Sequence, residues 1–284
     1  MAFHMGTLRY LAEQNALERV HRISSVSGGS LVVGLIFQEA EYQWPTSEAF
    51  IAQIYPEIRR RLCTHSMMHG VLAQLINPLN WRFILSRTNL LAQTLRKSWN
   101  VNVPLSALPA FPEWSINGTN AENGRRFRFK RENMGDYLSG YTDTKNFPLA
   151  NAMAVSAAFP GGFGPLTLKA TLYDWKKREW DAPAGSEQSI DVGDRLHLYD
   201  GGVYDNLGLE PFFDSGKGLS RQDQHAIVVS DAGKPLPQGF SKGPLNPFRL
   251  ARVADIMSDQ SHALRVRTFK IGRASCRERV FALV

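Results

Sequence analysis

The sequence predicts an α/β fold: a three-layer sandwich whose central, mostly parallel sheet is flanked by helices. Three observations predict it. Residues 20–26 (VHRISSV) read as a short strand that runs through the small-residue turn Ser27-Gly28-Gly29 into an apolar helix at 30–40. Residues 196–199 form a second apolar strand, stopped by Asp200-Gly201-Gly202. Residues 226–230 (AIVVS) are an unbroken apolar run of the kind found in buried parallel strands.

The remaining elements follow in order. Phe3, Leu8, Leu11 and Ala12 share one face of an opening amphipathic helix. Residues 47–101 are helical in pattern, with breaks at Asn77-Pro78 and Trp99-Asn100. Met67, Met68, Trp81 and Phe83 lie in this stretch; at such spacing they read first as core packing and second as a lid at a lipid surface. Residues 113–119 and 125–130 alternate polar and apolar around Asn123-Gly124, which predicts a hairpin. Residues 151–159 (NAMAVSAAF) form a small-residue helix ended by Pro160-Gly161-Gly162, and residues 170–195 a polar hairpin and loop.

Composition narrows the class. With 284 residues, 43% hydrophobic and 21% charged, the chain can bury one substantial core. The most apolar stretch, residues 30–37, is far short of a bilayer span, and no signal peptide is visible. The formal charge of +7 is dispersed, with short clusters at 59–61, 125–131 and 265–270. Such scatter argues against nucleic acid and is compatible with ordinary solvated charge or an anionic membrane surface. Cys63 and Cys276 set neither a disulfide framework nor a metal cluster, and point to a reducing compartment. A cytoplasmic or membrane-peripheral location is the expectation; oligomeric state leaves no signal.

Both ends stand apart. The chain starts inside a helical pattern without a cap, as though a preceding segment were missing. Residues 271–280 (IGRASCRERV) resemble a translated sequencing adapter. Residues 1–270 are therefore read as one domain and 271–284 as a non-native tail.

The serine turn carries the chemistry. In Ser25-Val26-Ser27-Gly28-Gly29-Ser30, Ser25 and Gly29 flank Ser27 at two residues' distance, where a large side chain would collide with the returning helix. The Gly28 N–H falls at a helix N-terminus, a natural oxyanion donor. The usual G-x-S-x-G pattern has a glycine where Ser25 stands. A plain glycine turn gives the same string, whereas a phosphate loop would need a lysine and a spacing that are missing. The aspartate turn, Asp200 to Gly208 (DGGVYDNLG), places a carboxylate at a strand end with Gly201 and Gly202 leaving room for another loop. A structural turn is its alternative reading.

Together these segments resemble the patatin-like phospholipase family, which pairs a G-x-S-x-G serine with a D-G-A or D-G-G aspartate and uses no histidine. FHMGTLRYLAE, INGTN and AVSAAFPGGFGP also resemble parts of that family. The resemblance implies a lipid acyl hydrolase in which Ser27 attacks an ester carbonyl and Asp200 relays the proton, with no metal or cofactor. It implies a lipid or phospholipid substrate, and a glycine-rich oxyanion loop ahead of the first helix that this sequence lacks. Activity is accordingly expected to be impaired relative to a chain that carries the loop. Two other readings compete. A Ser-His-Asp α/β-hydrolase would use His225 or His262, and a non-catalytic lipid-binding protein would keep the fold alone.

Overall fold

The computed structural model describes residues 1–83, 86–160, 163–179, 182–183, 185–214, 219–220, 227–233, 239 and 248–275. The chain opens with α1 (Ala2–Glu13), β1 (Arg22–Ser25) and α2 (Gly28–Glu39). A helical stretch follows: α3 (Ser47–Ala49), α4 (Tyr55–Thr64), α5 (Met67–Ala73), 3-10 turns at Gln74–Ile76 and Pro78–Phe83, and α6 (Arg87–Trp99). Then come β2 (Glu113–Asn120), β3 (Arg126–Phe129), β4 (Asn133–Asp136), β5 (Gly140–Asp143) and α7 (Leu149–Ser156). The rest comprises β6 (Leu166–Lys169), β7 (Lys176–Lys177), β8 (Gln188–Ser189), β9 (Arg195–Asp200), α8 (Gly202–Asp205), β10 (Phe213–Asp214), β11 (Leu219–Ser220) and α9 (Phe248–Ser275).

The central sheet corrects the expected one. Its strands run β6-β9-β2-β3-β4-β5-β7-β8, with β1 also on β2. Every described pairing in it is antiparallel except β1 with β2, so the mostly parallel three-layer sandwich is wrong. Connection length explains part of this. Parallel neighbours need a long crossover, as the helical stretch between β1 and β2 supplies, but β5–β7, β6–β9 and β2–β9 are antiparallel although long segments separate them in the chain. The steps from β2 through β5 are short hairpins, which force antiparallel pairing; the first turns at Gly124, whose φ of +68° suits glycine. Residues 227–230 form no strand, and Ala226 lies outside the described residues.

The core lies on one face of the sheet. In β3, Phe127 and Phe129 are fully buried there, while Arg126 and Arg128 alternate to the opposite face. α2 is almost wholly buried, from Leu31 to Phe37, and crosses α7 so closely that a Cβ on Gly34 would overlap the Met153 side chain. Its all-round apolar surface marks it as a central helix. In α1, Met5, Leu8 and Ala12 face this core, but Phe3 is exposed. Among the described residues no helix is long and apolar enough to cross a membrane.

Candidate active site

The sheet register explains why two turns 173 residues apart meet. A strand has two edges, and β3 occupies one edge of β2 from Ile116 to Thr119. The other edge is shared: β1 holds it up to Ile116, opposite Ser25, and β9 holds it from Gly118, opposite Asp200. Because β1 runs parallel to β2 and β9 antiparallel, their carboxyl ends approach head-on and leave a gap at Asn117. The sequence reading placed both turns where strands end in one sheet. The structure brings them together at a partner change along a single strand.

Ser27 stands at the N-terminus of α2 with φ +52° and ψ −124°. A non-glycine residue there carries strain of about 1–3 kcal/mol. Its backbone is held by α7: the Ser27 N–H donates to the Ser156 carbonyl at 2.9 Å and lies 3.1 Å from the Ser156 hydroxyl. A serine in this position ordinarily caps its helix, yet the Ser27 side chain makes no cap hydrogen bond. The hydroxyl is thus left available. Gly28 follows as the first helical residue, and no acceptor among the described residues takes its N–H. Gly29 is buried inside α2.

Ser25 does more than stay small. Its hydroxyl accepts from Trp114 Nε1 at 2.8 Å and lies 2.8 Å from the Ser30 hydroxyl, which is in turn 2.8 Å from that of Ser156. This buried chain of hydroxyls ties β1, α2, β2 and α7 behind Ser27. Glycine at position 25 would remove its middle link.

Asp200 is fully buried at the end of β9. Its N–H donates to the Ala158 carbonyl, so the C-terminal turn of α7 grips both site loops. Its carbonyl accepts from Thr119 Oγ1 at 2.8 Å, and its Oδ1 accepts from the Gly202 N–H at 2.8 Å. Oδ2 has no aligned hydrogen bond, although the Ser27 hydroxyl is near enough to favour the charged form. Burial outweighs both stabilising contacts and pushes the carboxyl up from 3.8 to about 7.

The two glycines beside it serve close approach. Gly201 has an ordinary φ of −62°, but a Cβ there would stand 2.5 Å from the Asn117 carbonyl oxygen. A Cβ on Gly202 would crowd Asn206 Oδ1 at 3.0 Å and Asp200 Oδ1 at 3.2 Å. Gly201→Ala is therefore expected to destabilise the protein by about 2–3 kcal/mol and to displace Asp200. Thermal unfolding reads the first effect and reactivity of Ser27 the second. A variant with unaltered stability would show that the loop can back away from Asn117.

Sequence reasoning missed the residue that joins the loops. Asn117 Nδ2 donates to Ser24 Oγ at 2.9 Å and to the Ser25 carbonyl at 3.0 Å, while its backbone oxygen faces Gly201. Its Oδ1 accepts from Arg126, which ion-pairs with Glu210 downstream of Asp200. Asp205 was also missed; its buried carboxylate accepts the Leu207 and Glu210 N–H groups and shapes the loop after α8. Asn117, Ser156 and Asp205 all lay inside noted segments, INGTN, AVSAAF and DGGVYDNLG, without a cue to their roles.

Of the two histidines offered for a triad, one is described. His262 Nε2 lies 2.8 Å from Asp231 Oδ2, and His225 is outside the described residues. Gly161 and Gly162 are outside them as well. Among the described residues no group of three or more histidine, cysteine or acidic side chains could hold a metal ion.

Comparison with known proteins identifies the family. No curated protein matches the chain. A family model described as patatin-like phospholipase matches residues 1–213, three-quarters of the sequence and a span containing both turns. The chain belongs to the patatin-like phospholipase family, a family of lipid acyl hydrolases.

Proposed function

We propose that this protein hydrolyses carboxylic esters of lipids through an acyl-enzyme on Ser27, with Asp200 as the only proton relay. The observation that carries the proposal is a strained serine whose hydroxyl, unused in capping, faces a buried carboxyl with a pKa near 7. A carboxylate at its ordinary pKa would be a poor base for an alcohol. Poised near 7, it holds a proton more strongly and is still substantially ionised at neutral pH.

In the first half-reaction the Ser27 hydroxyl adds to the ester carbonyl while its proton moves to Asp200. The oxyanion forms next to the Gly28 N–H, where the positive end of α2 favours it. Collapse expels the alcohol, which takes the proton back from Asp200. Water then enters the vacated position and loses a proton to the same carboxylate. Its addition and collapse release the fatty acid and restore Ser27.

A fluorophosphonate probe tests this reading because it labels only an activated serine. Labelling is expected at Ser27, lost in Ser27→Ala and kept in His262→Ala. Its rate should rise with pH through about 7 as Asp200 ionises, then level off. No label at Ser27 would favour a lipid-binding protein without turnover. Loss in His262→Ala would favour a triad.

A further inference from the structure

In the segment between α4 and α6 two polar side chains turn inward: buried Asn80 donates to the Gln74 carbonyl at 2.7 Å and accepts from Gln93 of α6, while Lys97 of α6 reaches Gln74 Oε1. α5 lies so close to α6 that a Cβ on Gly70 would stand 2.5 Å from the Thr94 methyl. Val71 is buried, but several other apolar side chains point outward. Met68, Leu72 and Ile76 succeed one another at four-residue spacing, and Leu79 and Trp81 continue the surface; Ile76 is 83% exposed and Leu79 76%. Trp81 has its indole N–H satisfied by the Leu75 carbonyl at 2.9 Å, which leaves a 60% exposed residue with no unmet polar group. Met67 and Phe83, by contrast, pack partly against the core.

Charge identifies the partner. Between residues 58 and 112 the sequence has seven basic residues (Arg59, Arg60, Arg61, Arg82, Arg87, Arg96 and Lys97) and no aspartate or glutamate. The whole chain has 33 basic and 26 acidic residues, so outside this stretch the count is 26 against 26. The entire formal excess of +7 therefore lies in the stretch that carries the exposed apolar face. Arg59, Arg82 and Arg87 in this stretch are exposed, whereas Arg60 and Arg61 pair with Glu57 and Glu39. Exposed apolar side chains followed directly in the chain by exposed Arg82 and Arg87 fit the interface of an anionic bilayer, where the former enter the acyl boundary and the latter meet headgroup phosphates.

The start of α6, just after this face in the sequence, holds residues that follow the site in the chain. Ser86 Oγ donates to the Pro165 carbonyl at 2.6 Å and Thr88 Oγ1 to the Gly164 carbonyl at 2.5 Å. In the sequence Gly164 lies six residues after Ala158, whose carbonyl receives the Asp200 N–H.

We infer that the Met68–Trp81 face docks this protein onto an anionic lipid bilayer. Its use in presenting ester substrate to Ser27 rests on the proposed dyad; the docking itself does not.

Sedimentation of the full chain with phosphatidylcholine vesicles, with and without phosphatidylglycerol, tests the inference. Binding is expected to favour the anionic vesicles and to weaken with salt. The combined variant Ile76→Ser, Leu79→Ser, Trp81→Ser should partition on the order of 100-fold less strongly, with unchanged thermal unfolding and unchanged turnover of a soluble short-chain ester. Arg82→Glu with Arg87→Glu should lose roughly tenfold or more on anionic vesicles only. Ser27→Ala should bind as wild type, so failure of the dyad and failure of docking read out separately. Absence of vesicle binding, or binding that survives the triple variant, overturns the inference. So does a wild-type dimer that the triple variant dissociates, which would make a second copy the occupant.

Discussion

Asp200→Asn is expected to make the protein both inactive and more stable at neutral pH. Raising a buried carboxyl from 3.8 to about 7 costs the folded state up to roughly 4 kcal/mol once it is ionised. The sign follows from proton counts. Between about pH 4 and 7 the unfolded chain has released this proton and the folded chain retains it, so stability falls as pH rises through that window. Above it the loss is complete. Asparagine keeps the shape and the acceptor for the Gly202 N–H, and cannot ionise. The variant should therefore gain about 2–4 kcal/mol at pH 8, or roughly 5–10 °C in Tm, and the gain should vanish towards pH 4. Ester hydrolysis should fall by about 10²–10⁴-fold, the range attributed to a general base. A variant less stable than wild type at pH 8 would show instead that the carboxylate is an anion the fold relies on.

Replacing Ser27 separates nucleophile from strain. Ser27→Ala and Ser27→Gly should both abolish fluorophosphonate labelling and reduce hydrolysis by up to about 10⁶-fold, as removal of a protease serine does. Their stabilities should differ. Alanine keeps a Cβ on a backbone at φ +52°, whereas glycine adopts that conformation freely. Ser27→Gly should exceed Ser27→Ala by about 1–3 kcal/mol, measured by denaturant or thermal unfolding. Equal stabilities would mean that the turn relaxes when the hydroxyl is removed. Strain of this kind at a residue held by α7, and not by its own side chain, is the expected mark of a position kept for chemistry.

Much of the fold was legible because it is local. The strand before Ser27, the buried α2, the hairpin around Asn123-Gly124, the breaks near Asn77 and Asn100 and the strand ending at Asp200 all follow from spacing and turn chemistry. Sheet direction was not legible. It depends on which strands become neighbours, and the alternation of strand and helix around α2 was extended to hairpin-linked strands that cannot follow it. The apolar run at 226–230 looked like a parallel strand since burial alone produces the same string, and Ile227 is indeed buried without pairing among the described residues.

Periodicity also fails to say which way a face points. Met68 and Trp81 carry the same pattern whether turned in or out, and the polar partners that turn them out, Gln74 and Asn80 with Gln93 and Lys97, are contacts between separate elements. At the site, Ser27 and Asp200 stood out because glycines mark their turns. Asn117 did not, because its task is defined only once two strands share one edge of a third.

That shared edge has a wider meaning for how such a protein can change. The gap between the two turns is measured along one short covalent ruler, the step from Ile116 to Gly118 in β2. A strand advances about 3.4 Å per residue and turns over with each one. Slipping either neighbour by one position would therefore carry its group away by that distance and onto the wrong side. The long excursions before and after this step can be lengthened, shortened or redecorated while the ruler keeps its scale.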